Sequence, residues 1–167
     1  PLWQTLHMQP LLALLSALIM GFSIVIFESS TSAVGFGRAS ESPLLSGLGK
    51  IVIGLLAVFL AVRFISLAYL GKLGLIFTGD FASMMFILET ILFVVPLVIL
   101  ASPERRSRGS NLLIAGMSML LAGTLYRFDA FLITLNPGPG YSYFPSVPEI
   151  MITLSIIALE LMAYIVL

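Results

Sequence analysis

Seven ionisable side chains lie within or at the ends of long apolar stretches, where a charge is costly and therefore informative. They are Glu28, Arg63, Glu89, Arg127, Asp129, Glu149 and Glu160. A charge at the centre of a membrane-spanning helix costs roughly 2.5–3.5 kcal/mol on insertion scales, so each one needs a partner, a proton or a water-filled cavity. A buried carboxyl that stays neutral can carry a proton. The set therefore predicts a proton pathway or a group of buried ion pairs.

Depth and helical spacing divide these residues further. At about 1.5 Å of rise per residue, Arg63, Glu89 and Glu160 fall near the middle of their stretches, and the whole set forms a ladder across the membrane. Glu149 and Glu160 are eleven residues apart, close to three helical turns, so they share one face. Arg63 can pair with Glu89 or with Glu160. Glu149 also fits a capping box with Ser146, which leaves a structural and a functional interpretation open.

Small residues accompany one of the arginines. Gly116 and Gly123 share a helical face with Arg127, and small residues on a membrane helix let a neighbouring helix approach closely. We therefore expect Arg127 to enter a packed interior. Asp129, two residues further on, lies on a different face and needs a different partner. Asp80 stands where it can cap the helix that follows it.

Composition excludes several classes of protein and of site. Of the 167 residues, 59% are apolar and 10% are charged, and eight Lys and Arg balance eight Asp and Glu. The mean hydropathy is +1.13. A soluble domain and a basic nucleic-acid binder are thereby excluded. The absence of cysteine excludes iron–sulfur and thiolate zinc sites, and one histidine, His7, cannot by itself hold a bis-histidine haem. We interpret His7 as interfacial, with a ligand role as the alternative.

Five stretches are long and apolar enough to cross a membrane, which takes about 20 residues. They lie near residues 10–27, 48–70, 81–100, 111–135 and 147–167. We therefore predict an all-α integral membrane bundle of about five transmembrane helices, forming a single domain over residues 1–167. The chain starts at Pro1 without a methionine or a leader and ends in an apolar run, so we expect it to be part of a longer membrane protein.

The loops predict an orientation. Loops 28–50 and 101–110 lie on one side and together carry Arg38, Lys50, Arg105, Arg106 and Arg108, whereas the other side carries Lys72 alone. The positive-inside rule makes the first side cytoplasmic and places loop 136–147 on the periplasmic side. That loop contains Tyr141, Tyr143 and Phe144, which suit either a partner-docking surface or an aromatic belt at the membrane interface.

The chain also resembles a known family. The opening PLWQTLHMQPLLALLSALIMGFSIVIFES is similar to the start of the C-terminal half of HybB-type membrane subunits of periplasmic nickel–iron hydrogenases. These belong to the NrfD/polysulfide-reductase family of quinone-reactive membrane subunits. The stretch from Arg127 through NPGPGYSYFP to PEIMITLSIIALELMAYIVL resembles the end of the same half, and Thr78-Gly79-Asp80-Phe81 with Glu89 also fits. The resemblance covers essentially the whole chain.

The resemblance implies half of a roughly ten-helix subunit in the bacterial inner membrane. In that family a ferredoxin-like iron–sulfur subunit docks outside and brings electrons from the small and large hydrogenase subunits, which hold the nickel–iron centre. The electrons reach menaquinone or ubiquinone in the lipid bilayer. The chain would carry no cofactor of its own and would be non-catalytic by itself within a hydrogen:quinone oxidoreductase. The buried acids would then form the proton pathway or its supporting pairs.

Two alternatives remain open at this point. In the first, the family is the same but the electron donor is a molybdenum reductase or a cytochrome complex. In the second, the chain is a purely structural membrane anchor that holds catalytic subunits to the membrane, and its buried charges are structural ion pairs.

Overall fold

The structure, a computed structural model, describes residues 2–3, 8–36, 42–130 and 146–166. Within these residues every regular element is helical. The helices are α1 (Gln9–Phe36), α2 (Ser42–Tyr69), α3 (Phe81–Ala101), α4 (Pro103–Arg106), α5 (Gly109–Phe128) and α6 (Val147–Val166), with a 3₁₀ turn at Leu73–Phe77. The predicted all-α fold class is confirmed.

Four of the described helices are long and apolar enough to cross a membrane. The spans are Gln9–Ala33, Leu44–Tyr69, Phe81–Ala101 and Gly109–Phe128, and Val147–Ile156 is a shorter apolar segment within α6. The chain is therefore a multi-pass membrane protein. It divides into two compact units, Pro1–Thr134 and Leu135–Leu167, which are described separately, and the prediction of one domain stays a prediction.

The helices α1 and α2 extend well into the region predicted as loop 28–50. α1 continues to Phe36 and α2 begins at Ser42. Serine and threonine residues in this region do not break α1, because their hydroxyls can donate to carbonyls of the preceding turn. Thr31 Oγ1, for example, donates to the carbonyl oxygen of Phe27 at 2.9 Å. Serine content alone was thus a poor indicator of a loop.

The first unit is a four-helix bundle in which each long helix packs against two others. α1 contacts α2 and α5, and α3 also contacts α2 and α5. Each helix turns one stripe of residues inwards at intervals of three and four positions, as helical packing requires. In α3 this stripe is Ser83, Phe86, Glu89, Phe93, Pro96 and Leu100. Large apolar side chains on the opposite faces are exposed on the bundle surface, as expected of helices that meet lipid.

Close approach between α1 and α5 depends on two glycines. A Cβ atom added to Gly116 would lie 3.3 Å from the backbone nitrogen of Phe27, and one added to Gly123 would lie 2.4 Å from Cγ of Met20. The predicted small-residue interface is present, and its partner is α1.

The connection from α3 to α5 is closed by a buried arginine. Arg106 Nη1 donates to the carbonyl oxygen of Leu100 at 3.0 Å, and its Nε donates to Ser46 Oγ at 3.1 Å. The first bond satisfies a terminal carbonyl of α3, and the second ties the turn to α2. Asp80 occupies the N-cap position of α3, but its side chain makes no capping hydrogen bond.

The second unit contains α6. Its first turn is capped by Ser146, whose backbone N–H donates to Glu149 Oε2 at 3.1 Å. The Ser146 carbonyl oxygen accepts the backbone N–H of Ile150 at 3.1 Å. The carboxylate bond to the N-cap nitrogen is the reciprocal half of the predicted capping box.

Candidate functional site

A buried ion pair joins α2 to α3 inside the first unit. Arg63 Nη1 donates to Glu89 Oε1, and Arg63 Nη2 donates to Glu89 Oε2 at 2.9 Å. The side chains are 3% and 0% exposed. Both residues occupy the inward stripes of their helices, so the pair is held by the same packing that buries the apolar core. The two parallel hydrogen bonds match the planar guanidinium to the carboxylate, which is the strongest geometry for such a pair.

The N-terminal segment supplies a further donor to the same carboxylate. Trp3 Nε1 donates to Glu89 Oε2 at 2.9 Å across a separation of 86 residues. Trp3 is 3% exposed, and its ring contacts the Phe86 ring edge-on at a centroid distance of 5.9 Å. Glu89 therefore accepts three hydrogen bonds, two from the guanidinium and one from the indole.

Aromatic rings surround the guanidinium on its remaining sides. The Cζ atom of Arg63 lies 4.2 Å from the ring centroid of Phe86, 5.6 Å from that of Tyr126 and 5.8 Å from that of Phe59. Cation–π attraction partly replaces the lost hydration of the cation. The rings also keep water away, which strengthens the pairing with Glu89.

A second acid completes the group, which we call the buried charge cluster: Arg63, Glu89 and Asp129. Asp129 follows the last residue of the span Gly109–Phe128, is 1% exposed and begins a π-helical turn at 129–130. A hydrogen bond joins its carboxyl to that of Glu89. Desolvation by burial raises the pKa of Asp129 above its ordinary value, and the negative charge of Glu89 acts in the same direction.

The cluster lies towards one end of the bundle. Glu89 is eight residues after the start of α3, which is about 12 Å along the helix, and Arg63 is six residues before the end of α2, about 9 Å. Asp129 follows α5 directly. All three lie in the half of the bundle that contains the α2–α3 connection, which the positive-inside rule makes the outer half.

The other predicted site residues do not join this cluster in the described structure. Glu28 and Arg127 are exposed on the surface of the first unit. The expectation that Arg127 enters a packed interior is wrong, because the glycines of its face contact α1 higher in the helix while its long side chain leaves the bundle at the helix end. Asp129, expected on a different face, is the residue of this pair that is buried.

The remaining candidates lie in or beyond the second unit. Glu149 is exposed and bonded to the Ser146 backbone. Glu160 lies within α6, and its side chain is outside the description. His7, Tyr141, Tyr143 and Phe144 also lie outside the described residues, so their proposed roles stay predictions.

Sequence reasoning missed the two aromatic members of the site, Trp3 and Tyr126. Tyr126 belongs to the inward stripe of α5, and its hydroxyl accepts a hydrogen bond from Gln9 Nε2 at 3.4 Å. Its helical periodicity could have identified it as inward-facing. No local pattern indicates that Trp3 reaches Glu89, because this contact depends on how the chain enters α1.

Comparison with known proteins gives one similar relative. The chain is 43% identical over 169 aligned residues to the protein of Escherichia coli (strain K12) described as "Probable Ni/Fe-hydrogenase 2 b-type cytochrome subunit". The alignment covers 100% of this chain and 43% of that relative, so the chain spans less than half of the relative's length. No family model and no solved structure matches the chain.

This comparison corrects the family assignment made from the sequence. The relative is described as a b-type cytochrome subunit, which contradicts the assignment to HybB-type subunits within the NrfD/polysulfide-reductase family. Apolar spans and loops rich in proline, glycine and aromatic residues occur in many multi-pass proteins. They are therefore weaker family markers than we took them to be.

The same description corrects the expectation that this chain carries no cofactor, because a b-type cytochrome binds haem b. Haem iron in such proteins takes axial ligands such as histidine, methionine or a thiolate. The chain has one histidine and no cysteine, and His7 lies outside the described residues. The part of the chain that the structure describes therefore does not fit a haem b site, and no step below passes through one.

Proposed function

We propose that this chain belongs to the membrane subunit of a nickel–iron hydrogenase complex that delivers electrons from hydrogen to the quinone pool. The observation that carries the proposal is the 43% identity, over the whole chain, to a hydrogenase membrane subunit. The four apolar spans support it, since they place the chain where quinone is dissolved. The acceptor would be menaquinone or ubiquinone.

The partners follow from the same proposal. The small and large hydrogenase subunits oxidise hydrogen at the nickel–iron centre, and a ferredoxin-like iron–sulfur subunit carries the electrons to the membrane. The proposed location is the bacterial inner membrane. Loops 28–50 and 101–110 would face the cytoplasm and loop 136–147 the periplasm, where Tyr141, Tyr143 and Phe144 would contact the partner. The excess of Lys and Arg in the first two loops supports this orientation.

The buried charge cluster supports a role in proton transfer. Oxidation of one hydrogen molecule releases two protons and two electrons, and reduction of one quinone to quinol consumes two of each. Proton movement must therefore accompany electron transfer through the membrane subunit. A buried carboxyl pair beside an arginine can hold a proton where water is excluded. Its place in the predicted outer half sets it on the side where quinone reduction by an external donor would occur.

The proposal is tested in native membranes from cells with and without the intact gene for this subunit. Hydrogen oxidation with an artificial dye measures the catalytic subunits alone, whereas hydrogen-dependent quinone reduction measures the whole path. The proposal predicts that deletion abolishes quinone reduction and leaves dye reduction in place. Persistence of quinone reduction after deletion would contradict it. Absence of any hydrogen-dependent activity in the parent membranes would show that the donor is wrong.

A structural anchor is the second candidate, and the geometry of the Arg63–Glu89 pair favours it. A bidentate buried pair that joins two helices is also what a purely structural element requires. The discriminating variant exchanges the two residues, Arg63→Glu with Glu89→Arg. An anchor keeps hydrogen-dependent quinone reduction once the pair is restored in reverse. A proton-transfer site loses it, because the carboxylate has moved away from Asp129.

A further inference from the structure

The hydrogen bond between two carboxyl groups fixes the protonation of the buried charge cluster. Two carboxylates offer only acceptors, so the bond between Asp129 and Glu89 requires a proton on one of them. With that proton the cluster carries one positive charge on Arg63 and one negative charge on the acid pair. Without it the cluster would hold an uncompensated negative charge in a site from which water is excluded.

The other contacts of Glu89 decide which acid is ionised. A carboxylate has about four acceptor positions, and three of those on Glu89 accept hydrogen bonds from Arg63 and Trp3. Donors of this kind stabilise the charged form. A proton on Glu89 would have to displace one of them and would weaken the ion pair. The fourth position is the one left for a proton donated by Asp129.

We propose that Asp129 holds the single proton of the cluster and exchanges it with water, while Glu89 remains ionised. Asp129 thus becomes the proton carrier, and Glu89 becomes a positioning residue that accepts its hydrogen bond. This assignment deepens the proposed function, since it rests on that function for its part in turnover. The protonation state itself follows from the contacts alone and can be measured separately.

The exchange step involves no electron transfer. The O–H bond of Asp129 breaks, a water oxygen forms a new bond to that proton, and the electron pair stays on the carboxyl oxygen. The return step transfers a proton from a second water-derived hydronium to the same carboxyl. Between the two steps Arg63 faces two carboxylates, so the ionised intermediate is short-lived. The π-helical turn at 129–130 supports access, because such turns interrupt regular helix packing and are frequent at functional sites.

The groups that face Asp129 from the neighbouring helices are few. Arg63 approaches from α2 and Glu89 from α3, and both act on its carboxyl electrostatically. Tyr126 lies on α5 itself, three residues earlier, and contacts the guanidinium. Among the described residues of the first unit, the other acids Glu28, Asp80 and Glu104 are exposed. The assignment therefore depends on one arginine and one carboxylate.

The test is infrared spectroscopy of the full-length membrane subunit in detergent, with aspartate or glutamate labelled by ¹³C at the side-chain carboxyl. The C=O band of a protonated carboxyl is separate from carboxylate bands, and the label shifts it. We expect a protonated-carboxyl band at neutral pH that shifts with labelled aspartate, does not shift with labelled glutamate, and moves after exchange into D₂O. A band that follows the glutamate label would place the proton on Glu89 and overturn the proposal.

Two variants assign the band to a residue. Asp129→Asn is nearly isosteric, and its amide N–H can donate to Glu89, so we expect it to fold and to lose the band. Glu104→Gln removes an exposed acid and serves as the control that keeps it. Retention of the aspartate band in Asp129→Asn overturns the proposal. Because neither readout needs hydrogen, a failure of the hydrogenase proposal in the membrane assay remains distinguishable from a failure here.

Discussion

Loss of the negative charge at Glu89 is the perturbation whose consequence follows most directly from the structure. Glu89→Gln keeps the shape of the side chain but leaves Arg63, 3% exposed, without its counter-ion. The new amide nitrogen would also face donors that now bond to a carboxylate. Removal of one partner from a buried ion pair costs about 3–5 kcal/mol. At about 1.4 kcal/mol per tenfold change, the ratio of folded to unfolded protein falls by roughly two to three orders of magnitude.

The assay is unfolding of the full-length subunit in detergent, together with its abundance in membranes. The double variant Arg63→Met with Glu89→Leu removes both charges, so its remaining penalty is chiefly the unsatisfied indole N–H of Trp3. We expect it to be more stable than Glu89→Gln by about 1–3 kcal/mol. Glu104→Gln is the control and should change stability by less than about 0.5 kcal/mol. A loss below about 1 kcal/mol in Glu89→Gln, or a double variant less stable than the single one, would refute the reasoning.

Two further predictions concern packing and helix capping. Gly123→Ala places a Cβ atom 2.4 Å from Cγ of Met20, so we expect a loss of about 1–3 kcal/mol in the same unfolding assay, whereas Gly54→Ala, which meets nothing within 4 Å, should cause no such loss. Equal effects of the two glycine variants would show that the α1–α5 contact is looser than described. Arg106→Met removes two side-chain hydrogen bonds at the end of α3 and should cost about 1–3 kcal/mol, while Arg105→Met, at an exposed position, should cost little. Comparable loss in both arginine variants would mean that charge near the membrane, and not the buried hydrogen bonds, stabilises this turn.

The sequence predicted the fold class because long apolar stretches have few alternatives in a membrane. It predicted helix ends less well. The segment after Glu28 contains several serine and threonine residues and was taken as loop, but hydroxyl groups such as that of Thr31 donate within the helix and let α1 continue. The boundary between helix and loop therefore depended on local hydrogen bonds that composition does not resolve.

The candidate site was predicted in part. Arg63 and Glu89 stand at inward positions of the helical repeat, and their pairing was one of two alternatives drawn from depth. The structure selects Glu89 as the partner. Asp129 could not be placed in this way, since its burial depends on how the end of α5 meets α3. Trp3 could not be placed either, because its contact with Glu89 spans 86 residues.

The central claim is that Asp129 carries protons during electron transfer from hydrogen to quinone. The most direct test measures protons moved per quinone reduced in sealed membrane vesicles, with hydrogen as the donor, for the parent subunit and for Asp129→Asn. The control is Glu104→Gln, which alters an exposed acid in the short α4 turn. The account predicts that the proton-to-quinone ratio falls in Asp129→Asn and is unchanged in the control. An equal ratio in Asp129→Asn and the parent would contradict it.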